Sequence, residues 1–446
     1  MRIFRLLATF ILFLSVSGAV STSASEIPPS FTFVGSGYGH GVGMSQIGAR
    51  AQALSGKSAS EILEYYYTGV TVEPVHDEIN MRVNIGHLLT SLTLRPDSTL
   101  GEIQIFSGEM KDEVGLAPLK TLHVKDSLTF TLLGNLVFPS VTSLAGGIEA
   151  LPSGKIWTIR WSGTRYLEGA GAVVAVKIGA STSKYRDGQI QVKMVKAAGL
   201  GYRIELTNTV RLHDEYLWGV SEVPSSWPLA AMQAQAIASR TYALNRAGSI
   251  KSACDCDIYG SSHDQTFVGN AKVNEPKFGK LWRAAVNSTS SDSSSGYAVL
   301  YNSLPISAYF FSSSGGQTES ARSAWGTAID YAVTVPDPWS LDPTFNSRYA
   351  HWERSITQAL AASIFLLPDV AELRVTSKNL SGTAAFVLAT SSAGKTAQLK
   401  GEIFRSRSKL PSTWFDLLAP QIISVPATPS SSPTPIVTAS DKADKS

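Results

Sequence analysis

Glu222 is the acidic residue whose position best suits acid–base chemistry, because an apolar helical stretch follows it closely. Residues 227–244 carry apolar side chains, many of them alanine, on both faces of a helix, which predicts a buried helix. Pro228 suits the first turn of that helix, and Ser225 and Ser226 are nearby capping candidates. A carboxyl group in such surroundings can donate a proton, and the same position also suits an acid that only complements the helix dipole.

Cys254, Cys256 and His263 are the residues that could hold a metal ion. Thiolates and imidazole are preferred zinc ligands, but paired cysteine ligands usually have about two to four residues between them, and no fourth ligand is evident. The short spacing also excludes a disulfide between distant parts of the fold. Three interpretations therefore stay open: a structural zinc site, a local disulfide and two reduced thiols.

Residues 35–43 contain alternating glycines around Tyr38 and His40. Such a run indicates a backbone that needs unusual dihedral angles or a close approach to another segment. Helical spacing follows from Ser45, and a second short helix is predicted over residues 58–67. The run is not a phosphate-binding loop, because no βαβ context surrounds it. His40 has two interpretations, a hydrogen bond to the backbone of the turn or a contact with a substrate.

The stretch around Glu222 resembles the core of the SpoIID/LytB family, which includes stage II sporulation protein D and the amidase enhancer LytB. The family patterns YLxGV, EMPxxWP and EALKAQAVAARTYAL correspond here to YLWGV at 216–220, EVPSSWP at 222–228 and MQAQAIASRTYAL from Met232. Ala230 departs from the pattern, because the family usually has a glutamate at the start of EALKAQA. Some members bind zinc in the region of the cysteines, and this chain has Asp264 where those relatives commonly show a further cysteine.

The glycine-rich block resembles a motif that usually lies at the C-terminal end of this family's domain. It reads GHGVGMSQIGA from Gly39, whereas residues 401–405 and 412–415 resemble the segment that normally precedes it. Residues 312–319 also resemble the family element YFSSSxGGxTE. This order implies a circular permutation, in which the N-terminal block docks beside the segment ending at Phe415.

The resemblance implies that the chain cleaves peptidoglycan glycan strands as a lytic transglycosylase with Glu222 as general acid and base. In that chemistry the muramyl C6 hydroxyl attacks its own anomeric carbon, so one carboxyl group can suffice and the product carries a 1,6-anhydro end. Substrate contacts are expected from His40, Gln46, Arg240, Ser313, Gln317 and Trp325. The alternative is a non-catalytic wall-binding protein that enhances an N-acetylmuramoyl-L-alanine amidase. Neither function requires a cofactor.

The expected fold class is α+β, with a helical core around a buried alanine-rich helix, β-hairpins packed on it and an inserted β-rich region. Short alternating runs bounded by Gly, Ser, Asp or Pro predict the β-rich region. The expected divisions are a signal peptide at 1–25, the glycine-rich block at 26–75, the β-rich region at 76–207, the catalytic core at 208–345, a C-terminal part of the same domain at 346–418 and a disordered Pro/Ser/Thr-rich tail at 419–446.

Composition and charge limit the classes of partner. A net charge of +3, with 43% hydrophobic and 16% charged residues, is typical of a globular protein and does not favour nucleic-acid binding. After the signal peptide, no stretch approaches the ~20 apolar residues that a membrane-spanning helix needs. We therefore expect a secreted, wall-associated protein whose partners are peptidoglycan glycan strands and, for the alternative function, a wall amidase.

Overall fold

A computed structural model describes residues 27–113 and 115–418 and contains both helices and several β-sheets, which confirms the α+β prediction. The predicted signal peptide and tail lie outside the described residues. The strands, in chain order, are β1 (Ser30–Ser36), β2 (Met44–Ser45), β3 (Thr71–His76), β4 (Asn80–Leu89), β5 (Ser91–Pro96), β6 (Ile103–Ser107), β7 (Lys120–Leu122), β8 (Ser127–Leu133), β9 (Leu136–Thr142), β10 (Ile148–Ala150), β11 (Ile156–Trp161), β12 (Val174–Ile178), β13 (Ser181–Tyr185), β14 (Gln189–Ala197), β15 (Gly201–Arg211), β16 (Ile258–Tyr259), β17 (Ser295–Tyr301), β18 (Leu304–Pro305), β19 (Phe310–Phe311), β20 (Trp352–Thr357), β21 (Glu372–Lys378), β22 (Ala384–Thr390), β23 (Thr396–Lys400) and β24 (Trp414–Leu417).

The helices are short apart from the central one. They are α1 (Gln46–Leu54), α2 (Ala59–Tyr66), α3 (Leu217–Gly219), α4 (Leu229–Leu244), α5 (Asn270–Val273), α6 (Gly279–Asn287), α7 (Ala321–Trp325), α8 (Gln358–Phe365) and α9 (Gly401–Ser408), with a π-helical turn at Leu212–Tyr216 and a 3₁₀ turn at Pro338–Leu341. Within the described ranges, none combines the length and the apolar character that crossing a membrane would need.

Helix α4 lies in the larger hydrophobic core, as its composition predicts. Every residue from Ala231 to Ala243 except Gln233 is buried, and the helix packs against α1, α2, α6 and β17. Many of the contacting side chains are alanines, which allow neighbouring backbones to approach closely. The helix begins at Leu229, later than predicted, because Pro228 is the residue before the first turn. No serine caps this end, since no side chain accepts a hydrogen bond there.

The region predicted to be β-rich supplies most strands of two sheets. Their strand orders are β16-β4-β15-β14-β11-β6-β7 and β10-β9-β8-β5-β12-β13. Buried side chains of these strands belong to the same hydrophobic core as α4. Strand β15 ends at Arg211, and the π-helical turn and α3 connect it to the loop that carries Glu222. A wide sheet therefore anchors that loop on its N-terminal side.

The N-terminal block forms part of the fold and is not a separate module. Strand β1 lies between β20 and β24, with Gly35 opposite Trp352 on one side and Phe415 on the other. The predicted contact between this block and the segment ending at Phe415 is therefore present. Helices α1 and α2 begin near the predicted positions, because Ser45 caps one and Ser58 forms a capping box at the other.

The alternating glycines have the unusual backbone that the sequence predicts, since Gly37, Gly39, Gly41 and Gly43 all have positive φ. At Gly43 a Cβ atom would lie 2.0 Å from the main-chain oxygen of Tyr309, so only glycine fits. This close approach lets β2 pair with β19 in parallel. The pairing brings the start of α1 next to the loop of Glu222.

Candidate functional site

A cleft of about 390 Å³ opens where the glycine-rich block, α4 and the segment from β19 to α7 meet. Tyr, Phe and Trp side chains form much of its lining and polar groups face into it, an arrangement typical of sites for small organic ligands. The residues that line it include Tyr38, His40, Gln46, Glu222, Tyr242, His263, Asp264, Thr266, Tyr309, Phe311 and Trp325.

Glu222 contributes a half-buried carboxyl group to this cleft. Burial raises its pKa above the ordinary value of 4.5, although hydrogen bonds from the main chain and side chain of Thr266 and the charge of Lys272 oppose the rise. One carboxylate oxygen accepts the main-chain N–H of Thr266. The carboxyl group is thereby held in one orientation while a larger fraction of it stays protonated than in a solvent-exposed glutamate.

Lys272 fixes the backbone beside Glu222. Its side chain is only 1% exposed, and its ammonium donates a 2.7 Å hydrogen bond to the main-chain oxygen of Val223. The ammonium also lies 3.3 Å from the carboxylate of Glu275. Burial lowers the pKa of Lys272, and the carboxylates of Glu275 and Glu222 oppose that change. This buried lysine therefore ties the loop of Glu222 to helix α5.

Gln46 joins the N-terminal block to the same loop. Its Nε2 lies 3.3 Å from the main-chain oxygen of Glu222 and 3.2 Å from Oε1 of Gln235 on α4. Because Gln46 also lines the cleft, the structure brings this predicted site residue to Glu222. Its amide holds the loop and α4 together at the cleft wall.

His40 stands in the cleft as a neutral imidazole. Its Nδ1 accepts the main-chain N–H of Val42 at 3.0 Å. Burial lowers the pKa of His40 to about 4, the charge of Arg405 adds to this effect, and a hydrogen bond to the main chain of Phe310 opposes it. The ring bonds to the turn, as one interpretation has it, and it also lines the cleft, where contact with a substrate stays a prediction.

Trp325 forms an aromatic wall of the cleft. Its side chain is 40% exposed, and its ring centroid lies 4.6 Å from that of Tyr309 and 5.4 Å from that of His40. Partly exposed aromatic faces of this kind can pack against the apolar face of a sugar ring. Trp339, by contrast, packs edge-on against Tyr65 and does not line the cleft.

The position of Arg240 contradicts the predicted contact of this residue with substrate. The side chain is completely buried, and its Nε lies 2.7 Å from a carboxylate oxygen of Asp77. Its Nη1 donates to the hydroxyl of Thr289 and the main-chain oxygen of Tyr297. The second oxygen of Asp77 bonds to His213 at 2.6 Å. Arg240 is therefore part of a buried ion-pair network and does not reach a ligand in the cleft.

Ser313 and Gln317 also lie outside the cleft. Ser313 is fully buried and pairs through its main chain with Tyr38, whose N–H lies 2.8 Å from its carbonyl oxygen. Gln317 is exposed and forms a bridge with Pro336. The extended backbone alternates the directions of successive side chains, so Ser312 faces the cleft and Ser313 faces the interior.

Cys254 and Cys256 are joined by a disulfide bond. Of the three interpretations that the sequence leaves open, this structure adopts the local disulfide. His263 lines the cleft and bonds through Nδ1 to the hydroxyl of Ser261 at 3.1 Å. Among the residues described, no group of three or more His, Cys, Asp or Glu side chains is arranged to hold a metal ion. The predicted zinc site would require the disulfide to be reduced, because bonded sulfurs are not thiolate ligands.

Asp264, Tyr242 and Thr266 are cleft residues that no sequence motif assigned to the site. The carboxylate of Asp264 accepts hydrogen bonds from the Tyr242 hydroxyl at 2.7 Å and from the Lys251 ammonium at 2.6 Å. Burial would raise the pKa of Asp264, but its hydrogen bonds with Lys251, Tyr259 and Tyr242 lower it overall. Residues 263–269 carry no periodic pattern, and their nearness to Glu222 follows only from the tertiary fold.

Comparison with known proteins finds similarity over the segment that contains Glu222. Residues 201–293 match the family model described as SpoIID, stage II sporulation protein. Stage II sporulation protein D of Bacillus subtilis (strain 168) is 34% identical over 134 residues, which are 28% of this chain and 38% of that protein. The matched region thus spans well under half of that relative's length.

Two further relatives match similar lengths of the chain. Stage II sporulation protein D of Bacillus amyloliquefaciens is 31% identical over 136 residues, 28% of this chain and 38% of the relative. A protein named amidase enhancer, from Bacillus subtilis (strain 168), is 29% identical over 118 residues, 26% of this chain and 14% of the relative. No solved structure matches the chain.

Proposed function

Residues 201–293 of this chain form a SpoIID-family segment, and we propose on that premise that the protein is secreted and cleaves peptidoglycan glycan strands as a lytic transglycosylase. The observation that supports this function best is the position of Glu222, a half-buried carboxyl group with a raised pKa in an aromatic cleft. Glu222 is the general acid and base of the proposed reaction.

The first step needs a proton donor at the glycosidic oxygen. Burial keeps a larger fraction of Glu222 protonated, and the hydrogen bond from Thr266 N–H fixes the orientation of its carboxyl group. Asp264, the other carboxylate of the cleft, is a poor donor because its pKa is lowered and Lys251 pairs with it. The opposite directions of these two pKa shifts support Glu222 as the acid of the proposed reaction.

The second step needs a base, because the C6 hydroxyl of the muramyl residue must lose its proton. After Glu222 has protonated the leaving oxygen it is a carboxylate, and it can accept that proton as the C6 oxygen bonds to the anomeric carbon. One carboxyl group therefore completes both steps, and no water is added across the bond. The products are a free hydroxyl end and a 1,6-anhydro end.

The cleft walls suit the proposed substrate. Trp325 and Tyr309 offer aromatic faces, and the neutral His40 and the amide of Gln46 can exchange hydrogen bonds with hydroxyl and acetamido groups. The proposed reaction requires no cofactor.

Mass spectrometry of purified wall glycan after incubation with the full chain tests the proposal. Release of 1,6-anhydro-muramyl ends supports it. Products that are exclusively reducing muramyl ends indicate hydrolysis and contradict it, as does intact glycan in the presence of folded protein.

Enhancement of a wall amidase is the second candidate function, and the similarity to a protein named amidase enhancer is the observation that favours it. This function needs glycan binding but not a proton donor. A folded Glu222→Gln protein that cuts no glycan, yet stimulates a purified N-acetylmuramoyl-L-alanine amidase as well as the parent does, supports enhancement. A folded Glu222→Gln protein that has lost both glycan cleavage and amidase stimulation supports the enzymatic function.

A further inference from the structure

A second cavity of about 170 Å³ lies next to the cleft and shares His40 with it. Helix α7 and His40 separate the two, because Trp325 faces the cleft while Ser323 and Ala324 face the second cavity. The opposite wall is the hairpin of β22 and β23. His40 is the residue common to both linings, so the second cavity adjoins the cleft at this ring.

Glu319 lines the second cavity but is already fully hydrogen-bonded. Its carboxylate accepts the main-chain N–H of Ser320 and side-chain donors from Asn379, Ser381 and Thr383. The side chain is 2% exposed. Glu319 therefore fixes the turn between β21 and β22 to the segment before α7. Its carboxylate has little capacity left to bind a ligand.

Phe386 and Lys400 are two groups in this cavity that remain free to bind a ligand. They are direct cross-strand partners on β22 and β23, so their side chains leave the sheet on the same face, about 5 Å apart at Cβ. Phe386 is 38% exposed. In the part of the chain that the structure describes, Lys400 pairs with no carboxylate, whereas Glu402 beside it pairs with Arg405.

The ammonium of Lys400 reaches across the cavity towards α7. Gly326 is the residue directly after Trp325. A Cβ atom built on Gly326 would lie 4.0 Å from Nζ of Lys400. The ammonium of Lys400 therefore lies on the side of the second cavity that is nearest to the cleft, close to the aromatic wall formed by Trp325. An anion bound there would gain a charge-assisted hydrogen bond without displacing an existing ion pair.

The volume of the second cavity limits the size of the group that can bind in it. Pockets for complete small ligands usually measure about 300–1,000 Å³, a range that contains the cleft but not the second cavity. The second cavity therefore suits a substituent of a bound glycan strand and not a complete disaccharide.

We propose that the second cavity is a subsite for a carboxylate-bearing substituent of the glycan strand, with Lys400 as the anion-binding group and Phe386 as the apolar platform. This inference rests on the proposed glycan substrate. Two parts of peptidoglycan supply such a carboxylate, the lactyl ether of a muramyl residue without its peptide and the stem peptide itself.

Binding measurements with three tetrasaccharides distinguish these sources. The ligands are peptide-free alternating N-acetylglucosamine and N-acetylmuramic acid, the same strand with stem peptides, and chitotetraose, which has no carboxylate. The Glu222→Gln protein is the reference, because it prevents turnover during calorimetric titration. Lys400→Gln in that background should weaken binding of one or both acidic ligands about tenfold and leave chitotetraose unchanged. The acidic tetrasaccharide whose binding is weakened identifies the source of the carboxylate.

Lys395→Gln is the matched control, since it removes the same charge from the same hairpin outside both cavities. Phe386→Ala should weaken binding of the acidic ligands as well. Equal weakening of all three ligands by Lys400→Gln, or the same effect from Lys395→Gln, overturns the subsite. If the reference protein binds none of the three, the proposed function itself fails, whereas binding that is insensitive to Lys400 and Phe386 overturns the subsite alone.

Discussion

The side-chain amide of Gln46 lies 3.3 Å from the main-chain oxygen of Glu222, although 176 positions separate the two residues in sequence. The same amide bonds to Gln235 on α4. We expect Gln46→Leu to lower the free energy of unfolding by about 1–3 kcal/mol, because it leaves the buried acceptor of Gln235 without a donor. Glycan cleavage should fall through kcat more than through KM, because the loop of Glu222 loses a positioning bond.

Gln317→Leu is the control for this change, as it replaces an exposed glutamine outside the cleft. Urea unfolding and steady-state kinetics of both variants provide the comparison. Similar behaviour of the two proteins would show that the amide of Gln46 does not position the loop.

Replacing Glu222 tests the acid–base role directly. Glu222→Gln should fold normally but form 1,6-anhydro ends at least about 10²-fold more slowly, because an amide cannot donate a proton as a carboxylic acid does. The measurement is mass spectrometry of digested glycan over time. Glu73→Gln, on the exposed strand β3, is the matched control and should match the parent. Undiminished product formation by Glu222→Gln would remove Glu222 from the mechanism.

The raised pKa of Glu222 also predicts how stability depends on pH. Because folding raises this pKa above its unfolded value, the ionised form is the one that folding disfavours, and the associated stability is lost as pH rises through the folded pKa. Glu222→Gln should therefore be more stable than the parent at about pH 7.5, and the difference should shrink at about pH 4, where Glu222 is mostly protonated in both states of the parent. Urea unfolding at both pH values measures this. A difference that grows towards low pH would mean that the pKa is lowered.

The buried pair of Arg240 and Asp77 predicts a structural and not a catalytic phenotype. Arg240→Met should cost about 3–5 kcal/mol, because it leaves the fully buried carboxylate of Asp77 with only His213 beside it. Arg354→Met, at an exposed arginine of β20, should cost little. Urea unfolding gives both values. For protein that remains folded, KM for glycan should be unchanged, and a large rise in KM would restore Arg240 to the substrate site.

The pairing of β1 with β24 predicts that the N-terminal block can be moved along the chain. Deleting residues 26–69 removes several fully buried side chains, among them Phe33, Ile62 and Tyr66, each worth about 1.5–3 kcal/mol. That loss is comparable with the whole stability of a domain. Placing the block behind Leu418 through a short linker should restore folding, because Leu418 N–H already bonds to the main-chain oxygen of Thr32 at 2.9 Å.

Thermal unfolding of the deleted and rearranged proteins checks this prediction. A deleted protein that melts at the parent's temperature and still cuts glycan would show that the block is dispensable and that the circular permutation is a wrong interpretation.

Local patterns predicted what depends on neighbouring residues. The apolar composition of α4 and the serine caps of α1 and α2 depend on residues that are close together in sequence. These three helices therefore lie near their predicted positions. Arg240 was assigned wrongly because its partner, Asp77, lies 163 positions away and nothing local indicates the pair. Asp264 and Thr266 lie in an irregular loop, where only the tertiary fold brings them to Glu222.

The strand pairing that closes the N-terminal block also determines when the cleft can be completed during synthesis of the chain. Ser412 donates a hydrogen bond to the main-chain oxygen of Ser36, 376 positions earlier, and contacts of such sequence separation form late because closing a long loop costs entropy. His40 and Gln46 follow β1 directly, so the wall they form waits for residues that a ribosome adds hundreds of positions later. A nascent chain therefore has Glu222 before it has a complete cleft, and any glycan-cutting activity begins only when the last strand has been made and has paired.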